Sequence, residues 1–244
     1  MATYVYAVVR AGHALPTGAA GVGGSGRLRI LRAEDDTASV AAVVGDAPED
    51  LRARRRDLAA HHEVLTELAE HGPVLPLQFG TVVRSDGDVA HHLAEHAAGY
   101  REALTRIAGK TELNVKAELD LDAVLGDIVA TEPDILALRE RTRTGGSYED
   151  QLQLGEKVAA ATARYAAAIE ERVVEVLAPY AVAYRPGPSL EGHAANISFL
   201  VQETGVAAFA AAVDGLRGDI GPGVELRCTG PLPTYSFASP EVAV

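Results

Sequence analysis

The chain has 244 residues, of which 48% are hydrophobic and 23% are charged, and this balance is typical of a folded globular protein. A net charge of −12 argues against nucleic-acid and anionic-lipid partners, because both attract clustered lysine and arginine. Cys228 is the only cysteine, so the sequence excludes an intrachain disulfide and a thiolate zinc site. We expect a cytoplasmic protein, since the N-terminus lacks the marks of a signal peptide and no apolar run could span a membrane.

The first part of the chain predicts strands. Residues 3–9 alternate aromatic and β-branched side chains, which is typical of a strand. Residues 27–33 and 37–44 predict a hairpin whose turn is the acidic run 34–36. Gly21, Gly23 and Gly26 match the spacing of a dinucleotide-binding fingerprint. Because they precede a strand and not a helix, we interpret this stretch as a flexible loop.

A helix is predicted from Pro48 to about residue 70, followed by an unusual apolar segment. Proline suits a first helical turn, and the apolar stripe of this helix consists of Leu51, Leu58, Leu65 and Leu68. Residues 73–83, with the sequence PVLPLQFGTVV, predict an edge or bulged strand, because proline cannot donate to a sheet and an interior glycine often marks a bulge.

Within this strand the alternation of side chains predicts which residues are buried. Leu75, Leu77 and Phe79 fall on one face at period two, and we expect them in the core. Pro76 and Gly80 are expected to shape the backbone. By periodicity alone the segment is core and not a chemical site.

The histidines do not make a convincing metal site. A second helix is predicted over residues 86–107, with His92, His96 and Tyr100 on one side, but two histidines without a third ligand indicate ordinary surface residues. His61 and His62 precede a glutamate as in a zinc-protease helix, yet the second ligand position holds no histidine. We expect one of the two to pack at a domain junction through a hydrogen bond instead. We therefore expect no bound metal.

The second half of the chain predicts its own α/β layer. Strands are expected at residues 111–119, 180–184, 195–202 and 224–228, and helices at 120–141, 148–177 and 206–217. This order is that of a ferredoxin-like βαββαβ unit with extra helix. The predicted fold class is α+β with two domains, an N-terminal α+β domain (1–109) and a ferredoxin-like domain (110–229), followed by an extended C-terminal tail (230–244). The apolar tail is expected to lie across a groove of this protein or of a partner.

No arrangement of residues in the sequence indicates a catalytic site. The sequence has no GxSxG nucleophile elbow and no phosphate-binding loop, and Cys228 falls in a predicted strand. Asp120, Asp122 and Asp127 lack the pattern of a calcium loop and are interpreted as helix caps. We expect no catalytic residues and no cofactor.

Four short motifs, in order along the chain, carry a family resemblance. LPLQFGTVV at residues 75–83 resembles LPLRFGTVF, and Glu112, Val115 and Lys116 fit a following strand motif. Gly146 to Tyr148 resembles the start of a long helix, and GPLPTYSF at residues 230–237 resembles GPWPPYSF. Together they resemble the GvpF/GvpL family of gas vesicle proteins over nearly the whole chain. The chain departs from the family pattern at Gln78, Leu113 and Leu232.

This resemblance implies a non-enzymatic accessory or minor structural protein for gas vesicle assembly. It implies binding to the small hydrophobic shell protein and to other vesicle accessory proteins, and a cytoplasmic location associated with gas vesicles. The alternative is a small-molecule-binding regulatory module, because a ferredoxin-like domain does not define a function. The oligomeric state stays open. The candidate structural or interaction signature comprises Leu75, Pro76, Leu77, Phe79, Gly80, Glu112, Lys116, Tyr148, Pro231, Pro233, Tyr235 and Phe237.

Overall fold

Two β-sheets and seven α-helices organise the chain in a computed structural model that describes residues 2–18, 20–24, 27–33 and 39–238. The α+β class predicted from the sequence is confirmed. Contacts divide the chain into two units, one running to Glu112 and resuming at Pro231, and the other from Leu113 to Gly230. The predicted domain bounds, 1–109, 110–229 and 230–244, stay a prediction. The predicted hairpin turn at 34–36, Gly26 and the tail beyond residue 238 lie outside the described residues.

The first unit is built around its central strand. Strand β1 is buried along its length except at Arg10, because it has neighbours on both edges and helices pack against the sheet. The sheet order is β2-β3-β1-β4, with the short β5 also paired to β1, and every one of these pairs is antiparallel. The bounds are β1 Thr3–Arg10, β2 Arg29–Arg32, β3 Val40–Asp46, α1 Arg55–Glu70, β4 Val74–Pro76, β5 Val82–Val83, α2 Asp86–Glu95 and α3 Ala97–Ile107.

Helix α1 begins seven residues after Pro48 and not at that proline. Asp50 pairs with the exposed side chains of Arg52 at 2.7 Å and Arg54 at 2.9 Å, and residues 51–54 before the helix are not helical. The predicted apolar stripe is therefore partly wrong: Leu58 is 43% exposed, whereas Leu65 and Leu68 are fully buried.

The second helix of the sequence prediction is two helices. The backbone of His96 leaves the helical region between α2 and α3, with φ −110° and ψ 11°. Arg29 fixes the start of α2, because its guanidinium lies 2.9 Å from Asp86 and 2.8 Å from Asp46. Thr3 Oγ1 also donates to Asp86 at 2.6 Å. The hydrogen bonds from Arg29 and Thr3 lower the pKa of the Asp86 carboxyl.

The second unit contains the other sheet, with strand order β7-β8-β6-β9. Its elements occur in the predicted βαββαβ order, with α4 and α5 as the extra helices, while the assignment to the ferredoxin-like fold stays a prediction. The core joins α6 to the sheet and to α7, and the rings of Phe199 and Phe209 lie 5.2 Å apart. The bounds are β6 Lys110–Leu119, α4 Leu121–Thr131, α5 Pro133–Arg143, α6 Tyr148–Leu177, β7 Ala183–Pro186, β8 His193–Gln202, α7 Val206–Asp219 and β9 Val224–Leu232.

Candidate functional site

The LPLQFGTVV segment does not form one continuous strand. Strand β4 ends at Pro76, and the chain turns before β5, with the Thr81 N–H and hydroxyl both donating to the Gln78 carbonyl at 3.2 and 2.8 Å. Gly80 has φ +92°, a conformation that glycine adopts at little cost. Leu75 is buried as predicted, but Leu77 and Phe79 are only half-buried because they lie in this turn.

A buried hydrogen-bond network ties the turn to β1 and α1. The Leu77 carbonyl can only accept, so His61 Nε2 carries the proton and donates to it at 3.2 Å. The lone pair of His61 Nδ1 then accepts from the Tyr4 hydroxyl at 2.9 Å. The Gly80 N–H in turn donates to the Tyr4 oxygen at 3.2 Å. Both nitrogens of the His61 ring therefore have partners.

Aromatic packing keeps this network neutral. Burial lowers the pKa of His61 and raises the pKa of Tyr4 to about 12. Tyr6 stacks on the His61 ring at 5.6 Å, and its own hydroxyl accepts from the Val22 N–H at 2.7 Å. The Phe79 ring meets His61 edge-on at 5.7 Å. We call Tyr4, Tyr6, His61 and Phe79 the aromatic cluster.

The C-terminal segment, residues 231–238, is anchored to the first unit. Glu112 is buried, and its carboxylate accepts the Ser236 N–H at 2.8 Å and the Ser236 hydroxyl at 2.7 Å. Thr234 Oγ1 donates to the Val74 carbonyl at 3.3 Å, and Thr111 Oγ1 donates to the Leu232 carbonyl at 3.2 Å. The segment therefore lies across its own chain, which is one of the two positions predicted for an apolar tail.

Two aromatic residues of this segment have different environments. Phe237 is buried, and Pro233, four residues earlier in the segment, is buried as well. Tyr235 stays 38% exposed, and its partial burial, together with the charge of Glu112, raises its pKa to about 12. The C-terminal segment therefore presents one aromatic ring to solvent.

Most of the signature residues predicted from the sequence share the first unit. Lys116 and Tyr148 do not: Lys116 is half-buried in β6, and Tyr148 is 80% exposed at the first residue of α6. The residues that come together in the first unit are Leu75, Pro76, Leu77, Phe79, Gly80, Glu112, Pro231, Pro233, Tyr235 and Phe237.

The sequence predicts a hydrogen bond from His61 or His62, and His61 makes two, but the prediction missed Tyr4 as a partner. The sequence contains a signal for His61, since it lies three residues before Val64 and seven before Leu68 on the buried face of α1. A polar ring at a core position of an amphipathic helix requires a buried partner. The sequence does not identify Tyr4 as that partner, because 57 residues separate the two.

The other candidate groups have structural roles. His92 Nε2 contacts the Tyr100 hydroxyl at 2.9 Å, and burial lowers the pKa of His92. Asp120 caps α4 as predicted by accepting from two backbone N–H groups. Burial raises the pKa of the Cys228 thiol.

In the described part of the chain, no group of three or more histidine, cysteine or acidic side chains could hold a metal ion. Among the described helices, none is both long and apolar enough to cross a membrane.

Comparison with solved structures defines the class of fold. The chain is similar to the crystal structure of the gas vesicle protein GvpF from Anabaena sp. PCC7120, with a TM-score of 0.79, 22% identity and 98% coverage of both chains. It is also similar to that of GvpF from Microcystis aeruginosa, with a TM-score of 0.78, 19% identity and coverage of 98% of this chain and 99% of that one. At these identities the likeness establishes the fold alone.

Sequence comparison then identifies the family. A family model described as gas vesicle synthesis protein GvpL/GvpF matches residues 2–239, and the chain belongs to this family. It is 42% identical to gas vesicle protein F of Streptomyces sp. (strain CB03234) over 97% of this chain and 99% of that protein. It is 33% identical to gas vesicle protein L of the same strain over 96% and 92% of the two chains. The resemblance inferred from four short motifs is confirmed.

Proposed function

We propose that the protein is a non-enzymatic accessory or minor structural protein in gas vesicle assembly, where it binds the small hydrophobic shell protein and other vesicle proteins. The observation that carries this proposal is the match to the gas vesicle synthesis family from residue 2 to residue 239. A relative named gas vesicle protein F is 42% identical across nearly the full length of both chains. The protein would accordingly be found with gas vesicles in the cell.

The geometry of the aromatic cluster supports a non-enzymatic role. A general base needs a free nitrogen or carboxylate within reach of a substrate proton. Both His61 nitrogens are already hydrogen-bonded, one to Tyr4 and one to Leu77. The raised pKa of Tyr4 further disfavours ionisation of the hydroxyl at neutral pH. These groups hold the turn in place and leave no activated nucleophile among them.

Exposed apolar side chains around β7 supply a surface suited to a hydrophobic shell subunit. Tyr180, Val182 and Tyr184 are each between 45% and 55% exposed, and β7 is an edge strand of its sheet. Exposed apolar groups of this kind mark interaction surfaces. The C-terminal segment contributes Tyr235, since Phe237 is buried.

The role in assembly is tested by deleting the gene and examining cells by electron microscopy. We expect few or malformed vesicles in the deletion strain and restoration by the intact gene. Normal vesicles in the deletion strain, without a related gene to substitute, would contradict the assembly role.

Shell-protein binding is tested separately by capture on the immobilised chain. The variant Tyr180→Ser/Val182→Ser/Tyr184→Ser should capture less shell protein than the parent. The matched control is Leu58→Ser/Leu121→Ser/Leu136→Ser, which removes three other exposed apolar side chains. Equal capture by the parent and the triple variant would reject the β7 surface, and no capture by the parent would reject direct shell binding.

A further inference from the structure

A depression in the first unit is lined by basic side chains. Arg10 is the last residue of β1, His71 directly follows α1, Arg101 lies on α3, and His13 lies in the loop after β1. We call this depression the basic pocket; its other lining residues are Ala11, Gly12, Ser39, Pro73, Leu104 and Thr105. None of the ten described residues that line it is acidic, although acidic residues exceed basic ones in the whole chain.

The two guanidinium groups of the basic pocket have no partner within the described residues. Neither Arg10 nor Arg101 makes a side-chain hydrogen bond or ion pair there. Arg29 of the same unit behaves differently, since it contacts two aspartates. As far as the described residues go, both guanidinium groups in the lining of this pocket are therefore open to an incoming anion.

The imidazoles of the basic pocket are both oriented by the backbone. His13 Nδ1 donates to the Ala14 carbonyl and His71 Nδ1 donates to the Glu67 carbonyl, each at 2.8 Å. The Nε2 atom of each ring is thus the nitrogen left for another contact. His13 Nε2 is buried and has no hydrogen-bond partner in the part of the chain that the structure describes. Because Nδ1 carries the proton, Nε2 of the neutral ring can accept from an N–H of an incoming chain but cannot donate to a carboxylate.

The lining of the basic pocket is not only charged. Pro73 and Ala11, both half-buried, supply apolar surface beside the arginines. A simple inorganic anion would leave this surface in water, whereas a peptide can cover it with an apolar side chain. Arginine pairs strongly with carboxylates through two parallel hydrogen bonds.

We propose that the basic pocket binds an acidic segment of a partner protein, with carboxylates paired to Arg10 and Arg101 and a neighbouring apolar side chain against Ala11 and Pro73. Charge complementarity selects this occupant, because a second copy of this acidic chain would be repelled overall. The proposal concerns the purified chain and does not depend on the role in gas vesicle assembly.

Fluorescence anisotropy with a labelled peptide tests the proposal. The probe is a short fluorescein-labelled peptide in which two glutamates lie between two leucines, and the control peptide carries glutamines in place of the glutamates. We expect the glutamate peptide to bind the intact chain and the glutamine peptide to bind about tenfold more weakly or not at all. Binding should weaken further as salt is added.

Matched variants locate the site. Arg10→Gln/Arg101→Gln should weaken binding of the glutamate peptide by about tenfold or more. Arg55→Gln/Arg139→Gln removes the same charge from exposed helix positions and should change the affinity by about twofold or less, because distant surface charges are screened. Circular dichroism checks that both variants are folded.

Four results would overturn the proposal. They are no binding of the glutamate peptide at low salt, equal binding of the two peptides, equal weakening by the two double variants, and displacement of the peptide by an equimolar amount of inorganic phosphate. The last of these would indicate a site for small anions and not for a peptide.

Discussion

Glu112 connects the C-terminal segment to the first unit through a single buried carboxylate. Replacing Glu112 with alanine leaves the Ser236 N–H and hydroxyl without this acceptor. We expect Glu112→Ala to lower the free energy of unfolding by about 1–3 kcal/mol, the usual cost of an unsatisfied buried polar group. Urea denaturation followed by circular dichroism measures the change.

Two further variants calibrate the effect of Glu112. Ser236→Ala removes one donor and keeps the backbone N–H on the carboxylate, so its cost should be smaller, about 1 kcal/mol. Glu191→Ala removes an exposed acid and should be nearly neutral. If Glu112→Ala and Glu191→Ala are equally stable, the carboxylate does not anchor the segment.

His61 gives the stability of the protein a predictable dependence on pH. Burial lowers its pKa below the ordinary value of 6.5, so the unfolded chain binds a proton at this ring more readily than the folded chain does. The resulting stability is fully present above the ordinary pKa and is lost as pH falls through the lower pKa of the folded state. We expect the free energy of unfolding of the parent protein to be smaller at about pH 5 than at about pH 7.5.

Neighbouring histidines provide the comparison for this pH dependence. His61→Gln should reduce the difference between the two pH values, because one linked proton is removed. His62→Gln changes an exposed residue of the same helix and should alter the difference much less than His61→Gln does, because the charge of His62 is the smallest of the causes acting on the His61 pKa. A His61→Gln variant with the full difference would show that other groups, such as His92, carry it.

At the scale of the elements, the turn between β4 and β5 depends on the backbone of Gly80. A Cβ at this position would meet no atom within 4 Å, so alanine introduces conformational strain and no steric clash. At φ +92° this strain should destabilise Gly80→Ala by about 1–2 kcal/mol. Thermal and urea unfolding would measure it.

Gly99 is the matched control for Gly80. It lies within α3, and a Cβ there would also meet nothing within 4 Å. Because alanine is the better helix former, Gly99→Ala should stabilise the protein by about 0.5–1 kcal/mol. The two substitutions are chemically identical, and effects of the same sign would refute the assignment of strain to the turn.

The sequence predicted best those elements that are fixed by interactions between residues close together in the chain. Helix α6 was predicted with its observed bounds, because Ser147 and Asp150 form a capping box three residues apart. The predicted start of α1 was wrong, since the apolar period continues through Leu51 although residues 51–54 are not helical. The edge or bulged strand predicted at 73–83 was partly right, since both of its ends pair with β1, but an alternating pattern does not show that the residues between β4 and β5 form a turn.

The candidate site was least predictable where its contacts are most distant in sequence. Glu112 was singled out only through the family motif, and its bonds to Ser236 span 124 positions. Tyr4 and His61 lie 57 positions apart, and neither residue alone indicates the pair. Local spacing could nominate these residues, but the three-dimensional fold was needed to pair them.

For the whole molecule, the first unit is completed by a segment that follows the entire second unit in sequence. The chain leaves the first unit after Glu112 and rejoins it at Pro231, so residues 231–238 belong to the first unit although they end the described chain. The GPLPTYSF motif of residues 230–237 supplies both anchoring hydroxyls, from Thr234 and Ser236. The motif therefore has a structural explanation within this chain.

Truncation after Gly230 should loosen the first unit selectively. Without residues 231–238 the Val74 carbonyl loses Thr234, and Glu112 loses both bonds from Ser236. We expect faster amide hydrogen exchange in β4 and around Glu112, because exchange reports local opening. Exchange in β8, which lies in the core of the second unit, should stay as in the parent.

The matched control is truncation after Ala238, which keeps every described anchor and should leave exchange in β4 unchanged. Equal protection of β4 in all three chains would mean that the C-terminal segment rests on the first unit without stabilising it.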